Sequence, residues 1–255
     1  VCGRFVSVSP PARLVAWFGV DEVDASVGDE APDYNVSPRR RILMVRGRDD
    51  HRVLSRLRWG LVPPWAREPG VGDRMINARA ETVAEKPAFR RAFARRRGIV
   101  PADGFYEWRA TGGDRRAKQP YYIQAADGAP LAFAGLWETW KVPDTAVGTV
   151  GDGDGWLRTC TIITTDANAA LAPIHHRMPV ILPEPAWAEW LDPRVTDVAA
   201  LQHLLVPAPD ASVRVHAVAR TVGNARTNGP DLIEPVDEPV DEPVDEPGPA
   251  EGGDG

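Results

Sequence analysis

Apolar positions in this chain fall into short alternating runs more often than into helical stripes. Arg41–Val45 is an apolar run that stops at Gly47, and from Val53 to Trp59 apolar and polar residues roughly alternate, the period of a half-buried strand. Ile99-Val100 is a brief apolar stretch between Gly98 and Pro101. Tyr121–Ile123 and Leu131–Ala134 flank Asp127-Gly128 and predict a hairpin. Leu157–Thr165 and Val213–Val218 are strand-like. Helices are predicted at Pro10–Phe18, with Ser9 as cap and proline at the first position, at Thr82–Arg97 with an interruption near Pro87, at Pro185–Leu191 and at Thr196–Leu205. Gly and Asp crowd residues 141–155, which predicts a mobile loop. Strands are scattered through the whole body, so the pattern predicts one α+β domain over residues 1–233.

The chain changes character after Ile233. Residues 234–255 repeat Glu-Pro-Val-Asp from Glu234 through Asp245 and end in Gly, Pro and acid. Proline every fourth residue opposes helix and sheet, and like charge opposes collapse, so this tail is predicted disordered. It holds nine acidic residues and no Lys or Arg. The overall charge of −6 therefore conceals a basic body: the other 27 acidic residues face 30 Lys and Arg, a balance of +3. Two readings of the tail stay open, a solubilising segment and a nucleic-acid mimic that occupies the basic surface.

At 255 residues, with 43% hydrophobic residues and nine Trp, the chain is long enough for a sizeable core. No apolar run approaches the ~20 residues of a membrane span, and no signal-peptide pattern is present. Cys2 and Cys160 are the only cysteines, 158 positions apart, which gives neither a disulfide framework nor metal-ligand spacing. A reducing cytoplasm fits, and no metal and no cofactor is expected.

The chemistry concentrates at Val1-Cys2-Gly3-Arg4-Phe5. Valine at position 1 is what a GTG start codon spells when translated literally, and a first residue before a small residue such as Cys is expected to be removed. Cys2 then carries an α-amine beside a thiol. An aldehyde condenses with the amine to an imine, and the thiol closes it to a thiazolidine with the advantage of an intramolecular reaction. The α-amine titrates near pH 8, about two units below a lysine.

Four further segments stand out: Tyr34-Asn35-Val36-Ser37-Pro38; Trp59–Trp65 followed by Ile76–Thr82; Pro101–Trp108; and Ile174–Val180. In this order, after an N-terminal cysteine, and with Val222-Gly223-Asn224 through Gly229-Pro230 closing the run, they resemble the SRAP (SOS response-associated peptidase) family of abasic-site processing proteins. The resemblance runs from Cys2 to about Pro235. It implies a single α+β domain around a β-barrel-like core with peripheral helices. It also implies a monomer that binds abasic sites in single-stranded DNA and shields them by a thiazolidine crosslink at Cys2, nucleoid-associated when on DNA. The family name adds cysteine-type autopeptidase release of residue 1, and a lyase side activity is a further expectation.

The resemblance assigns roles residue by residue. Glu107, between Tyr106 and Trp108, is the acid/base, in an aromatic setting expected to raise its pKa. Asn77 holds the amine or a sugar oxygen. His175 is selected over His176 by its place after an apolar residue and two before Arg177. Adjacent side chains of an extended segment point oppositely, so one of the two histidines faces the site. Neutral His175 orients or deprotonates the reacting groups. Arg4, Arg79 and Arg177 are read as phosphate contacts, and Trp65 as a base-stacking or wedging residue. Trp137, Trp187 and Trp190 are read as core, Cys160 as a buried small hydrophobe, and the arginines from Arg90 to Arg97 as a solvated helix face. Two other classes compete: an N-terminal-nucleophile amidohydrolase with Cys2 as nucleophile, and a non-catalytic single-strand binding module built on Arg and Trp.

Overall fold

The computed structural model describes residues 2–29, 31–111, 118–143 and 151–237. Along the chain run β1 (Phe5–Ser7), α1 (Pro11–Phe18), β2 (Glu22–Val23), β3 (Asp33–Val36), β4 (Arg41–Arg48), β5 (His51–Trp59), β6 (Asn77–Arg79), α2 (Arg90–Arg95), β7 (Arg97–Ala102), β8 (Gly104–Ala110), β9 (Lys118–Ala125), β10 (Leu131–Lys141), β11 (Trp156–Asp166), β12 (Arg177–Pro179), α3 (Trp187–Leu191), α4 (Val198–Gln202) and β13 (Val213–Ala217).

The long alternating runs close on themselves. β5 pairs antiparallel with β4, β4 with β7, β7 with β10 and β10 with β11. β11 returns to β5 through a short parallel seam, Thr159 opposite Arg58 and Cys160 opposite Trp59. These five strands form a closed barrel, as the α+β expectation with a barrel-like core required, and closure removes the open edges of the ring. A second sheet, in the order β13-β9-β8-β1-β3, lies against it.

Alternation along the barrel strands sends side chains to two cores. Leu43, Val45, Ile99, Ala134 and Ile163 pack with Leu14 and Phe18 of α1, Phe93 of α2, and Trp187 and Trp190 of α3. Ile42, Met44, Leu57, Trp59, Val100 and Ile162 meet Phe5, Phe105, Tyr121 and Ile123 of the second sheet, and Cys2 lies in that same cluster. No helix among the described residues is long and apolar enough to cross a membrane.

Several local expectations are corrected. The Asp127-Gly128 turn forms, with Gly128 at φ +73°, but it does not close a hairpin: β9 pairs with β8 and β13, and β10 pairs with β7 and β11. Pro130 withholds a ladder N–H just after the turn, and the chain crosses there from one layer to the other. Of Thr82–Arg97 only Arg90–Arg95 is helical, because Pro87 interrupts the first half and Arg97 already begins β7. Thr196–Leu205 shortens to α4, capped by Asp197, whose side chain accepts from Ala199 N. Ser9 does not cap α1. Its hydroxyl donates to Asp103 Oδ1 at 2.5 Å, and Asp103 Oδ2 accepts the backbone N–H groups of Val8 and Ser9.

Arg97 is not part of a solvated face. It is 2% exposed, and its guanidinium donates to the carbonyls of Phe93 and Ala94 at the end of α2 and of Trp190, Asp192 and Val195 around the end of α3. One cation thus satisfies the orphan carbonyls of two helix ends. Within 141–155, Asp152 takes ion pairs from both Arg41 and Arg158, while residues 144–150 lie outside the described residues. At the other end, Val236 N donates to Ala217 O at 3.0 Å, so pairing continues three residues past 233; the predicted disordered segment from Glu238 onward lies outside the described residues.

Candidate functional site

The site is assembled where the second sheet meets the barrel. β1 pairs with β8, Phe5 opposite Phe105, which brings the chain's first residues alongside Pro101–Trp108. Gly104 opens β8 where a Cβ would lie 2.4 Å from the Tyr122 ring, so this corner requires a residue without a side chain. Phe105 and Glu107 face the barrel, whereas Tyr106 packs on the opposite face with Tyr122, Val218 and Leu232, and Trp108 lies against that group. The carboxyl of Glu107 is therefore not flanked by the aromatic rings adjacent in sequence. It is 3% exposed in the space between sheet and barrel, and burial pushes its pKa up to about 7. The Trp108 backbone N–H and the Lys118 charge oppose that rise.

Cys2 is fully buried and close enough to Glu107 for the two charges to interact. Burial first, and the Glu107 carboxylate second, hold its thiol in the protonated form. β6, at the barrel rim, pairs in parallel with β11, Asn77 opposite Ile162, and carries Asn77 to the same place. Asn77 Nδ2 donates to the Cys2 carbonyl oxygen at 3.0 Å. Its buried Oδ1 has no hydrogen-bond partner among the described residues.

His175 is half-buried, and burial lowers its pKa to about 4, with the neighbouring charges of His176 and Lys118 adding to the shift. It is neutral at pH 7. Its Nδ1 lies 3.0 Å from Arg177 N and 3.2 Å from Arg177 O, so the Arg177 backbone fixes the ring's position, and Nε2 is the ring nitrogen outside this contact. The expectation that the two histidines face opposite ways is corrected. Residues 171–175 form a turn, with Ile174 N and His175 N both bonded to Leu171 O, and the rings of His175 and exposed His176 stack at 4.5 Å.

The arginines separate by partner. Arg79 is exposed and, with Arg74, Ile76, Asn77, Thr164 and Arg177, lines a depression of about 270 Å³ beside the Cys2 anchor. Arg177 lies at its floor, 7% exposed, bonded to both Glu81 oxygens, to Asp166 Oδ1 and to Thr164 O. Arg4 donates to Asn35 Oδ1, Val222 O and Gly223 O; its guanidinium ties the closing segment to the second sheet instead of facing outward. Trp65 is 62% exposed and lies outside this depression, on a second one shared with Pro64, Pro87, Ala88 and Arg91. Trp187, Trp190 and Cys160 are buried as expected, while Trp137 sits under the guanidinium groups of Arg46 and Arg96.

Sequence reasoning missed three contributors. Arg74 belongs to no motif and reaches the depression only through a 3-10 turn, Pro69–Arg74. Lys118 acts on both Glu107 and His175 from the start of β9. Asp103, within a quoted motif, anchors the chain just past β1 through the Val8 and Ser9 contacts; the carboxylate between Pro101 and Gly104 was its only signal.

The fold is that of a single-domain α+β protein, and Cys2, Asn77 and Glu107 come together where its second sheet meets the barrel. The chain belongs to the SOS response associated peptidase (SRAP) family, whose sequence model matches residues 1–225. It is 41% identical over 234 residues to the abasic site processing protein YoqW of Bacillus subtilis, covering 92% of this chain and 99% of that one. It is 34% identical to the abasic site processing protein YedK of Escherichia coli, covering 92% and 100%. With the abasic site processing protein HMCES of Pongo abelii it shares 33% identity, over 88% of this chain and 69% of the other. Among solved structures, a protein from Bacteroides thetaiotaomicron superposes with a TM-score of 0.78 at 28% identity, covering 92% of this chain and all of the other.

Proposed function

We propose that this chain processes abasic sites in single-stranded DNA by capturing them covalently at Cys2 once residue 1 has been removed. The observation that carries this reading is the grip of Asn77 on the Cys2 carbonyl, which holds the cysteine backbone beside a carboxyl group whose pKa is about 7. Membership of the family and the names of the relatives support it.

An abasic sugar opens to an aldehyde. The freed Cys2 α-amine attacks that carbon, and Glu107, protonated in a substantial fraction at neutral pH, gives its proton to the departing hydroxyl, so that water leaves and an imine forms. The Cys2 Sγ then adds to the imine carbon and its proton passes to nitrogen. The net change is loss of one water and gain of one N–C and one S–C bond. Because the thiol is held protonated, the amine acts first. His175, neutral at pH 7, orients the opened sugar through Nε2. Asn77 supplies its Oδ1 as acceptor for the freed amine. Arg79 and Arg74 meet phosphates, with Arg177 beneath them, and Trp65 stacks on a neighbouring base. Arg4 acts here as a positioning residue. Release of residue 1 is the peptidase step, with Cys2 Sγ attacking the preceding carbonyl to give a thioester that water hydrolyses.

Intact mass, taken before and after incubation with single-stranded DNA bearing one abasic site, tests this reading. A protein lacking residue 1 that then gains the mass of the DNA minus one water supports it. A protein lacking residue 1 that gains nothing overturns it, and glutamine hydrolysis by that sample would point to the amidohydrolase reading.

A further inference from the structure

The tail leaves the fold at the level of the site. Val236 N bonds to Ala217 O, Ala217 lies opposite Tyr121, and Tyr121 lies opposite Glu107. Three strand spacings, about 14 Å, therefore separate Val236 from Glu107 on one rung. Residues 237–255 follow, with eight carboxylates and no Lys or Arg: Asp237, Glu238, Asp241, Glu242, Asp245, Glu246, Glu251 and Asp254. A proline-rich chain of that length spans roughly 60 Å, more than enough to reach the depression beside Asn77.

That depression carries charge of the opposite sign. Some arginines elsewhere are neutralised locally, such as Arg40 by Asp33, Arg41 and Arg158 by Asp152, Arg58 by Asp73 and Arg194 by Asp192, while others, such as Arg67, Arg91 and Arg214, stand exposed without an ion pair among the described residues but do not share a concave surface with a second such arginine. Arg74 and Arg79 are exposed, and neither has a carboxylate within ion-pair distance among the described residues. Two guanidinium groups without a direct ion pair among the described residues thus line one concave surface, with the Glu81 carboxylate offsetting part of the Arg79 charge, and the chain's own densest run of carboxylates is tethered close by.

We propose that the acidic segment Asp237–Asp254 occupies the arginine-lined depression beside Asn77 and competes there with single-stranded DNA. The tether supplies an effective concentration in the millimolar range, so a contact with an intrinsic Kd of about 0.1 mM is occupied about tenfold over empty. DNA presents more charge and displaces it, while weak anions do not. The contact is electrostatic and exposed, so it fades as salt rises. The contact itself does not depend on abasic-site chemistry; only its consequence, competition, rests on the DNA reading above.

The test compares the full chain with a full-length variant in which all eight carboxylates become Asn or Gln. Arginine Nε–Hε spectra are recorded without DNA, and affinity for an unmodified single-stranded oligonucleotide is measured at 50 mM and 500 mM salt. The side-chain signals of Arg74 and Arg79 are expected to differ between the two proteins at 50 mM salt and to coincide at 500 mM. The neutralised chain is expected to bind the oligonucleotide about tenfold more tightly at low salt, with the gap closing at high salt. Coincident spectra at 50 mM overturn the contact. Shifted spectra with equal affinities overturn the competition. If neither protein binds the oligonucleotide, the DNA reading fails and the competition with it, while the spectra still decide the contact.

Discussion

Asn77 and Cys2 come from opposite sides of the molecule's main seam and are joined by one hydrogen bond, from Asn77 Nδ2 to the Cys2 carbonyl. The bond uses the backbone of Cys2, leaving both its thiol and its nitrogen for chemistry. Substituting Asn77 by Ala is expected to slow crosslinking by 10- to 100-fold with a stability loss of only about 1 kcal/mol, since one hydrogen bond is removed and no charge is buried. Single-turnover crosslinking and thermal unfolding of the same sample check this. A slowing that merely tracks unfolding would leave Asn77 a structural residue.

Cys2→Ala removes the thiol that closes the ring. A stable adduct is expected to vanish on denaturing gels while weak DNA binding survives. Wild-type adduct yield from this variant would remove the Cys2 thiol from the mechanism.

Glu107 makes stability depend on pH. Its folded pKa of about 7 lies above the ordinary value of 4.5, so the folded chain holds a proton that the unfolded chain releases. The stability linked to that proton is complete below about pH 4.5 and is lost as pH rises through about 7, on the order of 3 kcal/mol. Glu107→Gln is expected to flatten that slope and to be more stable than wild type at pH 8. Crosslinking needs a protonated Glu107 and a free amine, so its rate should pass through a maximum between pH 7 and 8, and the variant should lose the alkaline limb. Denaturant titrations across pH 5–9 and the rate profile test the two claims separately.

Arg79→Ala and Arg177→Ala are expected to part company. Arg79 is exposed with no ion pair among the described residues, so its loss is expected to weaken DNA binding and flatten the salt dependence by about one charge, with stability unchanged. Arg177 is buried against Glu81 and Asp166, whose side chains are 48% and 80% exposed. Its loss should cost about 2 kcal/mol, below the penalty for a fully buried pair because water reaches both carboxylates. Affinity against salt, with melting curves, distinguishes them.

Arg97→Met should destabilise the fold by about 3 kcal/mol or more, because the carbonyls at the ends of α2 and α3 lose a shared donor. A loss under 1 kcal/mol in urea unfolding would mean that water replaces the guanidinium.

The contrast between Arg97 and Arg79 also explains what could be read from the chain. Both are arginines in basic surroundings, but the acceptors that bury Arg97 are backbone atoms from two distant helix ends, and backbone atoms leave no mark on sequence. The barrel was legible where the apolar run of β4, the alternation of β5 and the β-branched stretch of β11 ran long. The site-bearing strands β1, β6 and β12 are three residues each and carry no period. In β8 the alternation was masked because both faces are buried, with Glu107 standing among apolar residues on the inner one. The turn at Asp127-Gly128 was visible as local chemistry. Which layer each flanking strand would join was not, since that depends on partners far along the chain. Cys2 stood out through the chemistry of a cysteine at position 2, whereas Asn77, Glu107 and His175 were selected through motif resemblance. Their spacing across 174 residues has no local signal.

The burial of Cys2 also sets a schedule. β1 takes its hydrogen bonds from β3 and β8, so the amino terminus has no complete sheet to join until residues past 104 have been synthesised. At 5–20 residues per second that interval lasts roughly 5–20 s. Under the maturation proposed above, an external aminopeptidase would have that window in which to expose Cys2. Once β8 is in place the cysteine is enclosed, and a later release would have to come from the folded chain.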